Sequence, residues 1–340
     1  MTYTPKSILV TGGAGFIGSN FIRYMLQKYP EVSIINLDKL TYAGNLENLQ
    51  DIEGDARYNF VKGDIADSKL LDEILPKVDS IINFAAETHV DRSIDGGEDF
   101  IMTDVLGTFR LLEGVRKHSI KRFLQISTDE VYGDIPAGQT SKETDSLKPS
   151  SPYSASKAGG DFQVIAAHRT HDLPTLITRC TNNYGPNQYP EKLIPLFITN
   201  IIEGLELPIY GDGQQVRDWI YVDDHCEAVD LVLREGQLGE IYNVGANQDP
   251  EITNMMITDS IIKELGKGEE LKKFVDDRPG HDRRYAVDTD KIEALGWNRR
   301  TDFAEGIKKT VQWYTEHPSW WQKIKSGEFK KYYLEQYKAR

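Results

Sequence analysis

The sequence predicts an α/β fold, a doubly wound parallel sheet with a smaller mixed α/β substrate domain toward its C-terminus. Three observations predict it. Short, continuous apolar runs alternate with longer helical patterns through the first half, the pattern of right-handed βαβ units. The first apolar run leads straight into a glycine-rich turn that opens a helix. After about Tyr184 the alternation fades and the chain becomes more helical and more charged.

Taken in order, the candidate strands are Ser7–Thr11, Ser33–Leu37, Tyr58–Lys62, Ser80–Ala85, Arg122–Ser127 and Thr175–Arg179. Most are unbroken apolar runs, as expected of strands covered on both faces. Between them lie the helical patterns Phe16–Tyr29, Lys69–Leu75, Phe100–His118 and Tyr153–Thr170. Gly159 and Gly160 are a poor helix pair by propensity, which suits close helix packing. The segment NNYGPNQYPEKLIP, from Asn182, reads as a long loop. Asp218–Val222 and Ile241–Val244 are short strands expected to rejoin the sheet. Residues 1–183, with 217–247 returning, are thus expected to form one domain, and 184–216 with 248–340 a second. The aromatic tail (Trp313, Trp320, Trp321, Tyr332, Tyr333, Tyr337) is expected to be packing.

The 340 residues include 40 Lys plus Arg and 53 Asp plus Glu, a net charge of −13. That argues against a large nucleic-acid surface, which needs a basic footprint. Cys180 and Cys226 are the two cysteines, too few for a disulfide framework or a cysteine zinc site. No metal site is expected. The N-terminal apolar run is too short for a signal peptide, and no run is long enough for a membrane span. The expected compartment is the cytoplasm, with no nucleic-acid or membrane partner.

The turn Thr11–Gly18 reads TGGAGFIG. Gly12, Gly15 and Gly18 let backbone N–H groups approach a pyrophosphate, and the helix that follows presents its positive end to it. Asp38 ends the second strand 20 residues beyond Gly18, where a carboxylate holds the ribose hydroxyls of NAD and repels the extra phosphate of NADP. A tight βα turn without ligand is the alternative. Asp64 and Ile65 follow the third strand, where an adenine edge can be read. Ala85 and Ala86 follow the fourth, where small side chains let the backbone pass close to a cofactor. Ser127-Thr128-Asp129-Glu130 ends the fifth strand. Tyr153 and Lys157 stand four apart on one helix face, so a neighbouring ammonium is expected to lower the phenol's pKa toward that of a general base.

With these residues in place, the sequence resembles the extended short-chain dehydrogenase/reductase family, Rossmann-type enzymes that bind NAD, and within it the nucleotide-sugar 4,6-dehydratases. NFAAETHVDRSI, ISTDEVYGD, SPYSASKA, LPIYGDGQQVRDWIYVDDH, YNVG and DRPGHDRRYAVD look like that family's blocks, from about Ile8 to Trp313. Thr128-Asp129-Glu130 is the specific part, because related epimerases carry small or hydroxyl residues in place of the two acids. The resemblance implies that Tyr153 is base for a sugar C4 hydroxyl and that Thr128 bonds the C4 oxygen. It implies that Glu130 takes the C5 proton and protonated Asp129 delivers one to the departing C6 hydroxyl. Carboxylates favoured at a helix N-terminus are the alternative for the two acids.

The resemblance adds Phe16, Ile17, Lys39, Thr41, Gly44, Thr103, Lys157 and Asn183 to the cofactor contacts. It assigns Glu87, Thr88, Asn182, Lys192, Leu193, Pro208, Tyr210, Arg217, Arg278, His281 and Asp282 to a nucleotide-sugar substrate. His89 is either part of the sugar end or a structural hydrogen-bonding residue, and Arg217 either an anion contact or a surface ion pair. A thymidine nucleotide is the expected substrate, with a uridine nucleotide, a 4-epimerase or a redox-sensing NAD module as rivals. A homodimer through Phe100–His118 and Tyr153–Thr170 is also implied. The sequence departs from the family pattern at Gly97, where Pro is usual, at Asp104, where Asn is usual, and near Ile252, where an Asn touches the nucleotide.

Overall fold

The computed structural model describes residues 2–327 and Tyr333. Its strands are β1 (Ser7–Thr11), β2 (Ser33–Asp38), β3 (Tyr58–Lys62), β4 (Ser80–Asn83), β5 (Arg122–Thr128), β6 (Thr175–Cys180), β7 (Asn182–Tyr184), β8 (Leu207–Tyr210), β9 (Val216–Arg217), β10 (Trp219–Tyr221), β11 (Ile241–Val244), β12 (Ile252–Thr253) and β13 (Lys272–Val275). Seven of them form one sheet in the order β11-β6-β5-β4-β1-β2-β3, with every neighbouring pair parallel. The expected doubly wound sheet is present.

Each strand divides its side chains between two cores. Ile8, Val10, Ile82, Leu124 and Leu176 pack on one face, and Leu9, Ile81, Phe123 and Ile177 on the other. The helices Phe16–Lys28 and Val222–Glu235 cover the first face; Ser68–Ile74, Thr108–His118 and Pro152–His171 cover the second. Burying each such side chain is worth about 1.5–3 kcal/mol. A one-residue slip would exchange the two sets, so burial sets the register.

β4 stops at Asn83, two residues before the expected end. There the chain leaves the ladder, and Ala85 N–H donates to Thr11 Oγ1 at 3.3 Å. The expected helix Phe100–His118 is interrupted: Ile101–Gly107 is a π-turn between Glu98–Phe100 and Thr108–His118. A wider turn draws the Asp104 side chain inward, where Ser156 Oγ donates to Oδ2 at 2.6 Å. The glycine pair allows this: a Cβ on Gly160 would stand 2.7 Å from the Asp104 carbonyl oxygen.

β11 rejoins the main sheet beside β6, as expected. β10 does not; it pairs with β7, inside the segment read as a loop. The helix Leu193–Glu203 was also hidden in and after that segment, because Pro195 reads as a breaker although in the first turn it costs no hydrogen bond. This helix builds a separate core with Tyr184, Trp219, Ile257, Tyr314 and Trp321. Two small sheets complete that region, antiparallel β9–β12 and parallel β8–β13. The tail aromatics pack as expected: Trp320 and Trp321 are buried, and Trp320 Nε1 donates to Asn48 Oδ1 at 2.9 Å. Tyr333 Oη accepts from Asn200 Nδ2 at 3.0 Å. Tyr332 and Tyr337 lie outside the described residues. Among the described residues, no helix is long and apolar enough to cross a membrane.

Candidate active site

The strand order turns outward on both sides of β1 and β4, and ligands of such sheets sit at that switch point. A pocket opens there, across the carboxyl ends of the parallel strands. Its floor is the glycine turn. Gly12 has φ +67°, and a Cβ on it would stand 2.7 Å from Ala85 N; a Cβ on Gly18 would stand 2.5 Å from Gly12 O. These contacts leave a bare backbone cradle facing the pocket, the shape a pyrophosphate needs.

All the expected cofactor contacts line this pocket. Gly12, Gly15, Phe16, Ile17 and Gly18 come from the turn and its helix. Asp38, Lys39, Thr41 and Gly44 follow β2, Asp64 and Ile65 follow β3, and Ala85 and Ala86 follow β4. Thr103 comes from the π-turn, and Asn183 from β7. Asp38 is buried; its Oδ2 accepts from Ala14 N at 2.8 Å and its Oδ1 from Leu40 N at 2.8 Å. Burial raises its pKa while the two N–H groups hold the carboxylate in place. Lys39 and Asp64 face each other at 2.9 Å. A bare-backbone cradle at one end and an anchored carboxylate at the next strand fit a dinucleotide such as NAD.

The reactive groups stand on the neighbouring wall. Thr128 ends β5 and caps the short turn Asp129–Tyr132, accepting from Glu130 N at 3.2 Å. Ser151 and Pro152 start the next helix with a capping box, which fixes Tyr153 and Lys157 in its first turns. Lys157 Nζ donates to the Ile126 carbonyl at 2.8 Å. Thr128, Asp129, Glu130, Tyr153 and Lys157 all line the pocket.

Burial and the adjacent Glu130 charge push the Asp129 carboxyl up to about 8. Its Oδ1 accepts from the Thr128 hydroxyl at 3.1 Å, and its Oδ2 is buried with no partner among the described residues. Burial also raises Glu130, against the pull of Arg278, Arg217 and Lys192. The expectation for Tyr153 is reversed. Burial, then the charges of Glu130 and Asp104, hold its phenol well above the ordinary value. The i, i+4 spacing puts both side chains on the pocket but takes no account of desolvation or of the acids on the facing elements.

The substrate contacts divide. Glu87, Thr88, Asn182 and Lys192 line the same pocket. Leu193, Pro208, Tyr210, Arg217, Arg278, His281 and Asp282 do not; most of them gather beside it. Arg278 Nη1 meets Asp91 Oδ1 at 3.0 Å, and Tyr210 donates to Asp91 Oδ2 at 3.1 Å. Arg217 is buried, donates to the Asp282 carbonyl at 2.8 Å and stacks over Tyr285, so it is not a surface ion pair. Asp282 accepts from Tyr285 at 2.7 Å, and His281 meets Asp277 at 2.6 Å. Pro208 is buried in β8, and Leu193 packs on the second core. His89 is buried, which lowers its pKa to about 4 and keeps it neutral.

The sequence reading missed Cys180, Thr181, Gln188, Tyr189 and Glu191, which also line the pocket. Four of these five lie in or beside the segment read as a loop, whose density of polar and aromatic residues was the available signal. Glu191 meets Arg92 at 3.2 Å. Glu87, pushed up to about 7 by burial and by Asp104, was named without its coupling to that acid.

The chain matches the family model described as GDP-mannose 4,6 dehydratase over residues 9–310. It is 50% identical over 324 residues to the dTDP-glucose 4,6-dehydratase of Streptomyces niveus, covering 94% of this chain and 96% of that protein. It is similar to the crystal structure of the Streptomyces venezuelae dTDP-glucose 4,6-dehydratase with NAD and TYD bound, at TM-score 0.91, 50% identity, and 94% and 99% coverage. UDP-glucose 4-epimerase of Thermus thermophilus, solved with NAD, is more distant, at TM-score 0.84, 29% identity, and 92% and 99% coverage.

Proposed function

The chain belongs to the extended short-chain dehydrogenase/reductase family, among its nucleotide-sugar 4,6-dehydratases, and from that premise we propose that it converts dTDP-glucose to dTDP-4-keto-6-deoxyglucose and water with NAD. One observation carries the reading: two adjacent acids, the buried Asp129 and the partly buried Glu130, stand in one pocket with Tyr153 and Lys157. Oxidation at C4 alone needs only the tyrosine–lysine pair. Losing water across C5–C6 also needs a base and an acid.

NAD bound on the glycine cradle supplies a hydride acceptor for C4 and a hydride donor for C6. Tyr153, whose phenolate the positive charge of a bound nicotinamide would favour against the burial that raises its pKa, would take the proton of the C4 hydroxyl, while Thr128 bonds the C4 oxygen. The C4 ketone acidifies C5–H, and Glu130 removes that proton. Asp129, neutral at pH 7, protonates the C6 hydroxyl as it leaves. Glu130 then returns its proton to C5. Lys157 would hold a ribose hydroxyl of the bound cofactor. Arg217 and Arg278 are assigned to the diphosphate, which suits the planar fork of a guanidinium.

The division into a cofactor domain (1–183 with 217–247) and a substrate domain (184–216 with 248–340) is supported by the separate core around Tyr184 and Trp321. Two buried free thiols support a reducing compartment, the cytoplasm. Exposed Ile101, Met102, Phe109 and Phe162 on adjoining helices support a homodimer.

The test is direct. Purified protein is given dTDP-, UDP- and GDP-glucose, and the keto sugar is measured. The expected result is product from dTDP-glucose with kcat/KM at least about tenfold above UDP-glucose, the value of one well-packed methyl. A preference for UDP-glucose would reassign the base, and no keto sugar from any of the three would reject the activity.

A further inference from the structure

The reactive side chains come from two elements. Asp129 and Glu130 stand on the short turn Asp129–Tyr132 after β5, and Tyr153 and Lys157 on the helix Pro152–His171. Oxidation at C4 uses the helix pair, whereas elimination needs both elements set against one sugar. The helix is fixed by its capping box and by Lys157 on the Ile126 carbonyl. The turn is only four residues long. Lys148 N donates to its Val131 carbonyl at 2.9 Å. Among the described residues, Tyr132 is the one side chain of the turn hydrogen-bonded to residues distant in sequence.

The Tyr132 hydroxyl donates to Asn243 Oδ1 at 2.8 Å and accepts from Arg179 Nη1 at 2.9 Å. Arg179, on β6, also donates from Nε to Asp161 Oδ2 at 2.9 Å. Asp161 lies about one turn beyond Lys157 on the same helix. The Asn243 amide is oriented from its other end, Nδ2 donating to the Ser141 carbonyl at 3.0 Å. All four side chains are buried, and Arg179 is 2% exposed. A buried arginine–carboxylate pair is a poor source of stability, because desolvation offsets its attraction. This pair does something geometric: the rigid guanidinium fork grips the helix with one nitrogen and the turn with another.

Resting on the dehydratase reading, we propose that Arg179, acting through Tyr132, is a positioning residue that sets the acid-bearing turn against the Tyr153–Lys157 helix. Neither Arg179 nor Tyr132 lines the pocket, so neither acts on the sugar itself. Their effect reaches the reaction through Asp129 and Glu130, two and three residues before Tyr132 in the same turn. Releasing the turn leaves the helix pair where it is, so C4 oxidation persists. Removal of the C5 proton and departure of the C6 hydroxyl depend on the two acids and slow. A misplacement of about 1 Å costs up to about 10²-fold in rate.

The experiment is a single turnover of dTDP-glucose by the NAD-loaded enzyme, followed at the reduced-nicotinamide band. The rise of the band reports C4 oxidation, and its decay reports elimination with hydride return. Tyr132→Phe removes the linking hydroxyl but keeps the ring and leaves the buried ion pair whole. Its decay should be slower than wild type by roughly 10–10²-fold, with the rise little changed. Arg179→Lys keeps the charge but loses the fork. It should slow the same phase, and in the Tyr132→Phe background it should add little, because both residues act along one path. If the phenylalanine variant does not fold, Arg179→Lys alone is judged by the same two phases. Equal slowing of rise and decay, no slowing, or full additivity in the double variant would overturn the positioning role. A wild-type enzyme that forms no keto sugar would instead overturn the dehydratase reading itself.

Discussion

At the scale of single residues, Asp129, Glu130 and Tyr153 share one pocket but are assigned separate steps, so their variants should separate. Tyr153→Phe should abolish C4 oxidation, with no transient absorbance at the reduced-nicotinamide band. Glu130→Gln should still oxidise C4 but lose C5–H exchange with deuterated solvent. Asp129→Asn should oxidise C4 and exchange C5–H, yet eliminate water about 10²–10⁴-fold more slowly. Normal turnover by Glu130→Gln would refute its assignment as base. Asp129 also carries a stability cost with a definite sign. Its folded pKa is raised from 3.8 to about 8, so between those values the native state binds more protons than the unfolded one. Stability from this group therefore falls as pH rises from about 4 to 8. Asp129→Asn removes that dependence. Thermal melts should show little gain at pH 4 and a gain of roughly 1–3 kcal/mol at pH 8, accompanied by loss of dehydration.

At the scale of elements, the glycine turn and the π-turn show how backbone shape makes the site. Gly12 has φ +67°, with its Cβ position 2.7 Å from a backbone nitrogen. Gly12→Ala should cost about 1–2 kcal/mol for the left-handed conformation alone and weaken NAD binding measured by calorimetry. Gly96, whose Cβ would meet nothing within 4 Å, is the control. Gly96→Ala should leave binding unchanged and raise the melting midpoint slightly, since it only restricts the unfolded chain. Most strands of the main sheet were legible because both faces are buried and the run is apolar; the edge strand β3, YNFVK with no buried residue, is the exception. The π-turn was not. One extra residue in a helical turn leaves the 3.6-residue pattern almost intact, and its effect is visible only where Asp104 meets Ser156 across the helix interface.

At the scale of the whole molecule, the helix that carries Tyr153 and Lys157 and the π-turn packed beside it present apolar side chains to solvent. Ile101 is 58% and Phe162 56% exposed. If two copies pair through these helices, Phe162→Glu should convert a dimer to a monomer in analytical ultracentrifugation. A wild-type chain that sediments as a monomer would remove the dimer assignment.

What the sequence determined by itself was local: the order of strands and helices in the first half, the glycine turn with Asp38, and the adjacency of Thr128, Asp129 and Glu130. Each depends on neighbours within a few residues or on a fixed strand–turn–helix unit. Tertiary structure alone decided the rest. It put β10 beside β7 and away from the main sheet, because a two- or three-residue strand has too little pattern to choose a partner. It buried Arg217 against Asp282 and Tyr285, residues more than sixty positions along the chain. It raised the Tyr153 phenol where the lysine spacing predicted lowering, because desolvation and the charges of Glu130 and Asp104 come from the packing of separate elements, and no single stretch of sequence contains them.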